Sequence, residues 1–134
     1  MQTWDAFKTQ AGDVRFQSAF HAVEVAVRQL AATRDGAILS IVLFGSLARR
    51  RPTYDDIDML IITEPGVASP SELTRHLAEE IFGPLFLQCG ELFSFIVYTQ
   101  AQLAQLQDIL PLLDRVQREG VLLYGSDPFT RAAG

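Results

Sequence analysis

Apolar residues recur every three or four positions between Asp13 and Thr33. Phe16, Phe20, Val23, Val27 and Leu30 fall on one stripe, the period of a helix buried along one face. Asp13 suits its N-cap, and "RDG" at Arg34 to Gly36 ends it and turns the chain. The pattern then changes. "AILSIVLFG" is almost continuously apolar and rich in β-branched residues, which predicts a central strand buried on both sides. Gly45 and Ser46 follow at once, "SLARR" predicts a short helix, and "RPTYD" a turn with Pro52 as breaker. "DIDMLIIT" predicts a second buried strand, stopped by "EPG" at Glu64 to Gly66.

Ser69-Pro70-Ser71-Glu72 predicts the next helix, with Ser69 as cap, Pro70 at the first helical position and Glu72 closing a capping box. Leu73, Leu77, Glu80 and Ile81 mark its inner edge, and "FGP" its end. "LFLQCG" and "LFSFIVYT" predict two strands, a hairpin or a bent pair around Gly90. Thr99 caps a further helix with Leu103 and Leu106 inside. Pro111 opens another through Leu112, Leu113, Val116 and Arg118, and "EGVLLYGSDP" carries a closing strand. No linker, repeat or low-complexity tract interrupts the 134 residues, so residues 1–134 are expected to form one domain. The element order predicts an α/β (α+β) domain: a mixed β-sheet of about four to five strands flanked by helices.

Composition narrows the function classes. Hydrophobic residues at 49% and charged ones at 20% describe a globular chain, and a net charge of -5 excludes coating nucleic acid by bulk electrostatics. Lys8 is the single lysine among eleven basic residues. Arginine forms planar, bidentate contacts with phosphate or carboxylate, but codon bias explains the overall skew equally well. The chemical interpretation is therefore reserved for Arg49, Arg50 and Arg51. The one cysteine, Cys89, forms no internal disulfide and fits a reducing compartment. "MQTWDAFKTQAGDVRF" lacks the basic start and apolar stretch of a signal peptide, and no run approaches the roughly 20 apolar residues that cross a bilayer. A cytoplasmic, soluble protein is the expectation.

Candidate chemistry sits in "GSLARRRPTYDDIDMLII", where a buried strand opens on carboxylates that need compensation by a metal or an arginine. Asp56 and Asp58 are two apart, so on a strand both point to one face, their Cα atoms roughly 6.6 Å apart. Such carboxylates can converge on one divalent ion or on a pair, and magnesium suits oxygen ligands completed by water and phosphate. Asp55 has the opposite parity. Gly45 lets backbone approach a ligand, and a helix starting at Ser46 aims N–H groups and a hydroxyl at phosphate. Each piece has a plain alternative: Gly-Ser is usually a turn, as in "LLYGSDP", and an arginine run is usually a solvated surface. Their order and spacing make the combination specific.

"LFGSLARRRPTYDDIDMLII" resembles the signature of the minimal nucleotidyltransferases, small members of the DNA polymerase β-like superfamily. "FIVYTQAQLAQLQDILPLLDRVQREGVLLYG" is similar to the family's third strand, capped helix and closing run, so the resemblance spans roughly Ile38 to Gly125. It implies a nucleotidyltransferase fold like the polymerase β palm, and transfer of a nucleoside monophosphate, AMP from ATP, to a hydroxyl acceptor. Gly45 and Ser46 would hold the triphosphate, Arg49 a phosphate, and Asp56 and Asp58 magnesium. The acceptor hydroxyl would attack without a protein nucleophile.

Three departures bear on this. Arg50 replaces the glycine that usually follows Ala-Arg. Nine residues separate Ser46 from Asp56, one fewer than the commonest spacing. Ser94 stands where the family places its third carboxylate, and Glu91, the nearest acid, has the wrong parity for a regular strand. Two readings follow: an active transferase with a weakened third position, or a catalytically weak or inactive nucleotide-binding antitoxin that pairs with an all-helical HEPN-type protein. A small domain leaves the acceptor site to a second chain, that partner or another copy of itself.

Overall fold

A computed structural model of the chain describes residues 1–11, 16–33, 37–66 and 69–129. Its elements run β1 (Gln2–Thr3), α1 (Trp4–Ala11), α2 (Gln17–Ala31), β2 (Ile38–Phe44), α3 (Gly45–Ala48) and β3 (Ile57–Thr63). They continue with α4 (Pro70–Leu77), a π-helical turn (Ala78–Phe82), α5 (Gly83–Cys89), β4 (Phe93–Thr99), α6 (Gln100–Leu106), α7 (Pro111–Glu119) and β5 (Val121–Gly125). The strands form one mixed sheet in the order β1-β5-β2-β3-β4. The expected α/β architecture is therefore present.

β2 and β3 pair antiparallel at the centre, and β3 pairs parallel with β4. Both central strands are near-continuous apolar runs because helices cover both faces of the sheet. On one face Ile41, Leu43, Ile57, Met59 and Ile61 pack with α1, α2, α4 and α5 residues such as Phe7, Val23, Leu77 and Leu85. On the other, Val42, Leu60 and Ile62 pack with Leu103, Leu113 and Val116 of α6 and α7. Alternate residues of one strand thus feed two separate cores. Among the described residues, no helix is long and apolar enough to cross a membrane.

Helix starts follow the predicted chemistry in part. Ser69 accepts the Glu72 N–H at 3.2 Å, with Pro70 in the first turn, but only this half of the expected capping box forms, because the Glu72 side chain does not bond back to the Ser69 N–H. Thr99 and Gln102 form a reciprocal capping box, and Pro111 opens α7. Helix α2 begins at Gln17 with Phe16 in the cap position. The expected cap Asp13 and the turn at Arg34 to Gly36 lie outside the described residues.

Three expectations are corrected. "LFLQCG" is no strand: it forms α5, and "FGP" does not end the preceding helix. Pro84 sits in the first turn of α5, where a missing N–H costs little, and the π-helical turn carries the chain across from α4. Leu85 is buried there and the Cys89 thiol donates to the Leu85 carbonyl at 3.0 Å, an i, i+4 spacing that a short apolar run disguises as a strand. Glu80, placed on an inner edge, is exposed, because the wider π turn rotates it outward while Ile81 stays buried. The N-terminal residues, read only for targeting signals, form β1 and α1, anchored by Trp4 and Phe7 against Phe20 at 5.2 and 5.6 Å.

The second Gly-Ser turn, at Gly125, is structural. Gly125 has φ +76, and a Cβ there would run into the Leu39 carbonyl of β2, with Ser40 Cα 3.2 Å away. Ser40 Oγ donates to the Ser126 carbonyl at 2.6 Å across the same turn. Left-handed strain and a backbone clash together predict that Gly125→Ala costs about 2–5 kcal/mol. Urea denaturation measures this; an unchanged midpoint would show that the β5 end is not held against β2.

Candidate functional site

The first Gly-Ser turn closes on a carboxylate instead. Gly45 has φ +78, and a Cβ on it would overlap the Asp58 carboxylate. Only glycine lets the turn lie this close to Asp58. Asp58 is the register partner of Phe44 across β2 and of Ser94 across β4, so the three share the sheet face covered by α6 and α7. A cleft of about 200 Å³ opens there, between Phe44, Gly45, Arg49 and Asp58 on one side and Leu112, Arg115, Val116 and Glu119 of α7 on the other.

Asp56 lies in the bend just before β3 rather than within it. It nonetheless bears on its neighbour. Burial, then the negative charge of Asp56, push the Asp58 carboxyl above the ordinary 3.8, and Arg49 partly offsets them. Asp58 therefore carries its neutral-pH charge at a cost that a cation would relieve. Arg49 reaches Glu119 at 3.4 Å, an ion pair with side chains 31% and 40% exposed, so little energy holds it closed. Ser46 is the second residue of α3, one later in the helix than the sequence predicts, and its carbonyl accepts the Arg51 N–H at 3.0 Å. Because α3 is a single turn, it presents local N–H groups without a summed helix dipole.

Ser94 is exposed beside Asp58, on the same face. Glu91 is engaged elsewhere. It accepts from the Tyr54 hydroxyl at 3.1 and 3.3 Å and from Ser18 of α2 at 3.4 Å, on the side of the sheet away from the cleft. Burial and the Glu91 charge push the Tyr54 phenol up to about 12. A raised phenol pKa means that the fold favours the protonated ring, so this stabilisation is complete below pH 10 and disappears as pH rises towards 12. Tyr54→Phe is expected to cost about 1–2 kcal/mol at neutral pH. It should also remove the most alkaline of the tyrosine steps in an ultraviolet titration; an unchanged titration would dissolve the Tyr54–Glu91 bond.

Arg115 and Glu119 were not among the predicted site residues. Their i, i+4 spacing on α7, next to inward-facing Leu113 and Val116, put them on one edge of the helix. Only the tertiary placement of α7 over β2 brings that edge to Gly45. A larger cavity, about 480 Å³, lies by α2, lined by Trp4, His21, Glu24, Arg28 and Leu123 among others, and holds none of the predicted residues.

The donor set defines which cation fits. Among the described residues, no three His, Cys, Asp or Glu side chains converge as a metal site. Asp58, made costly by burial, lines the cleft and Asp56 does not, although its charge is felt there; the two would suit only a hard ion that arrives with oxygen ligands of its own. The pair is not a closed cage.

No family model matches the chain, and no curated protein does. Among solved structures the chain is similar to one described as "Crystal structure of the toxin-antitoxin with AMP-PNP". The identity is 18% and the TM-score 0.48, covering 78% of this chain and 73% of that one. A likeness this distant says nothing about activity.

Proposed function

We propose that the cleft binds a nucleoside triphosphate, ATP, together with magnesium, and that the chain is a nucleotidyltransferase of low intrinsic activity that passes AMP to a hydroxyl acceptor. The observation that carries this is the approach of Gly45 to Asp58: a phosphate-type turn is held against a costly carboxylate at a place where no other side chain fits. A volume of about 200 Å³ is below the usual range for a whole drug-sized ligand, about 300–1,000 Å³. It suits the polyphosphate, with the nucleoside lying outward.

Asp56 and Asp58 would hold magnesium, which when bound supplies neutralisation of charge on phosphoryl oxygens. Arg49 and Arg115 offer forked donors to the phosphates, and Glu119 keeps Arg49 at the cleft until an anion replaces it. In the transfer, the acceptor oxygen bonds to the α-phosphorus, the bond to pyrophosphate breaks, and the acceptor proton must leave. Ser94 cannot take that proton as a carboxylate would.

That residue favours a second reading, a catalytically weak or inactive nucleotide-binding antitoxin that pairs with an all-helical HEPN-type protein. Calorimetry with Mg·ATP, followed by a labelled-ATP transfer assay with and without an all-helical HEPN-type protein, separates the two. Binding without transfer in either case would leave only the second, and no binding would end both.

A further inference from the structure

We propose that Arg50 is a positioning residue: lodged on α1, its guanidinium sets the turn that carries Arg49 to the mouth of the Asp58 cleft, which makes α1 part of the site. The nucleotide aspect rests on the reading above; the latch itself rests on geometry.

Helix α3 ends in a paired hydrogen-bond motif. The Arg51 N–H reaches back to the Ser46 carbonyl and the Arg50 N–H to the Leu47 carbonyl, both at 3.0 Å. This arrangement demands a left-handed residue at the Arg50 position, the usual place for glycine, and Arg50 adopts it with φ 56. A strained residue persists where its surroundings over-determine it. Here they do. The Arg50 guanidinium donates to the Phe7 carbonyl at 3.3 Å and to Gln10 Oε1 at 2.8 Å, and lies 4.8 Å over the Phe7 ring. Phe7 is 1% exposed, so the ring and carbonyl under the guanidinium are fixed by the core, and Gln10 Oε1 also accepts from Gln2 Nε2 at 2.9 Å.

A further cost marks the same residue. Arg50 Nε is buried without a hydrogen-bond partner, although an arginine on a surface turn can extend into water. Two unfavourable features are thus retained at one position. What they secure is the turn, since a shift of Arg50 out of the left-handed region would break the Arg51–Ser46 bond and re-aim Arg49, its neighbour. Arg49 is the only residue of this turn beyond Gly45 that lines the cleft, facing Glu119 at 3.4 Å.

The test uses Arg50→Gly, which keeps the backbone conformation but removes the latch, and Arg50→Lys, which keeps the charge but loses the fork. Amide hydrogen exchange on the ligand-free chain reads the turn directly. Arg50→Gly is expected to speed exchange at the Arg49 and Arg51 amides about tenfold while β3 amides stay unchanged. Mg·ATP affinity should fall about tenfold, with Arg50→Lys intermediate in both. Unchanged exchange overturns the latch. Faster exchange with unchanged affinity reduces Arg50 to a tie for α1 and overturns its positioning role. If wild type itself does not bind Mg·ATP, the nucleotide reading fails, and exchange alone decides whether the latch exists.

Discussion

Asp56→Asn combined with Asp58→Asn is expected to abolish magnesium-dependent ATP binding and, at the same time, to make the protein more stable. The two effects have one cause. Burial and the charge of Asp56 raise the Asp58 pKa, so the fold holds that proton more tightly than the unfolded chain does. Stability contributed by a raised carboxylate is present below its ordinary pKa of 3.8 and is lost as pH rises through the folded value. The deficit grows as pH rises above that ordinary pKa. Asparagine carries no charge, so the double variant should melt higher than wild type at pH 7, and the gain should vanish below about pH 4. Each 1 kcal/mol recovered corresponds to a rise of about 3–5 °C in a domain of this size. Binding should move the other way. Two charge-assisted contacts at about 1.5–3 kcal/mol each imply a loss of about 100-fold or more in affinity, with no difference left between magnesium and EDTA. Calorimetry and thermal melts on the same samples check both. A destabilised double variant, or one that binds Mg·ATP normally, would mean that the carboxylates serve the fold rather than a ligand.

Ser94→Asp should convert slow transfer into fast transfer. Position 94 is the parallel neighbour of Asp58 on the cleft face, about 4.8 Å away between strands. A carboxylate there can receive the acceptor proton, a role typically contributing about 10²–10⁴-fold. The cost is a third negative charge beside Asp56 and Asp58, so the variant should melt lower until Mg·ATP is added, and then gain more from the ligand than wild type. Single-turnover AMP transfer, with and without an HEPN-type protein as acceptor, is the measurement. If wild type is already fast and the substitution is neutral, proton removal is not limiting here. Glu91 is not in reserve for that case, because its oxygens are held by Tyr54 and Ser18 on the far side of the sheet.

The contrast between Ser94 and Glu91 shows what a sequence can convey. Strand parity is local, so the separation of positions 91 and 94 onto opposite faces could be read from alternation alone, and the structure keeps it. The Gly45 to Asp58 unit was legible for the same reason: the segment folds back on itself within a short stretch. Helix α5 was not, since six residues of mixed apolar character fit either period, and the deciding feature, a π-helical turn before it, has no compositional mark. Arg115 and Glu119 were hidden by distance along the chain. They reach the cleft only because α7 lies across β2. The left-handed Arg50 was visible as a departure from glycine, but its purpose is written in α1, a helix that its own short stretch does not announce.

Trp4 stacks on Phe7 at 5.7 Å, and Phe7 is the ring beneath Arg50. It is also the chain's one tryptophan, with the Lys8 ammonium 5.6 Å over its ring. The indole is therefore a native optical reporter two contacts from the site. Its emission colour and quenching register whether the N-terminal helix is seated, without a label and without disturbing the cleft.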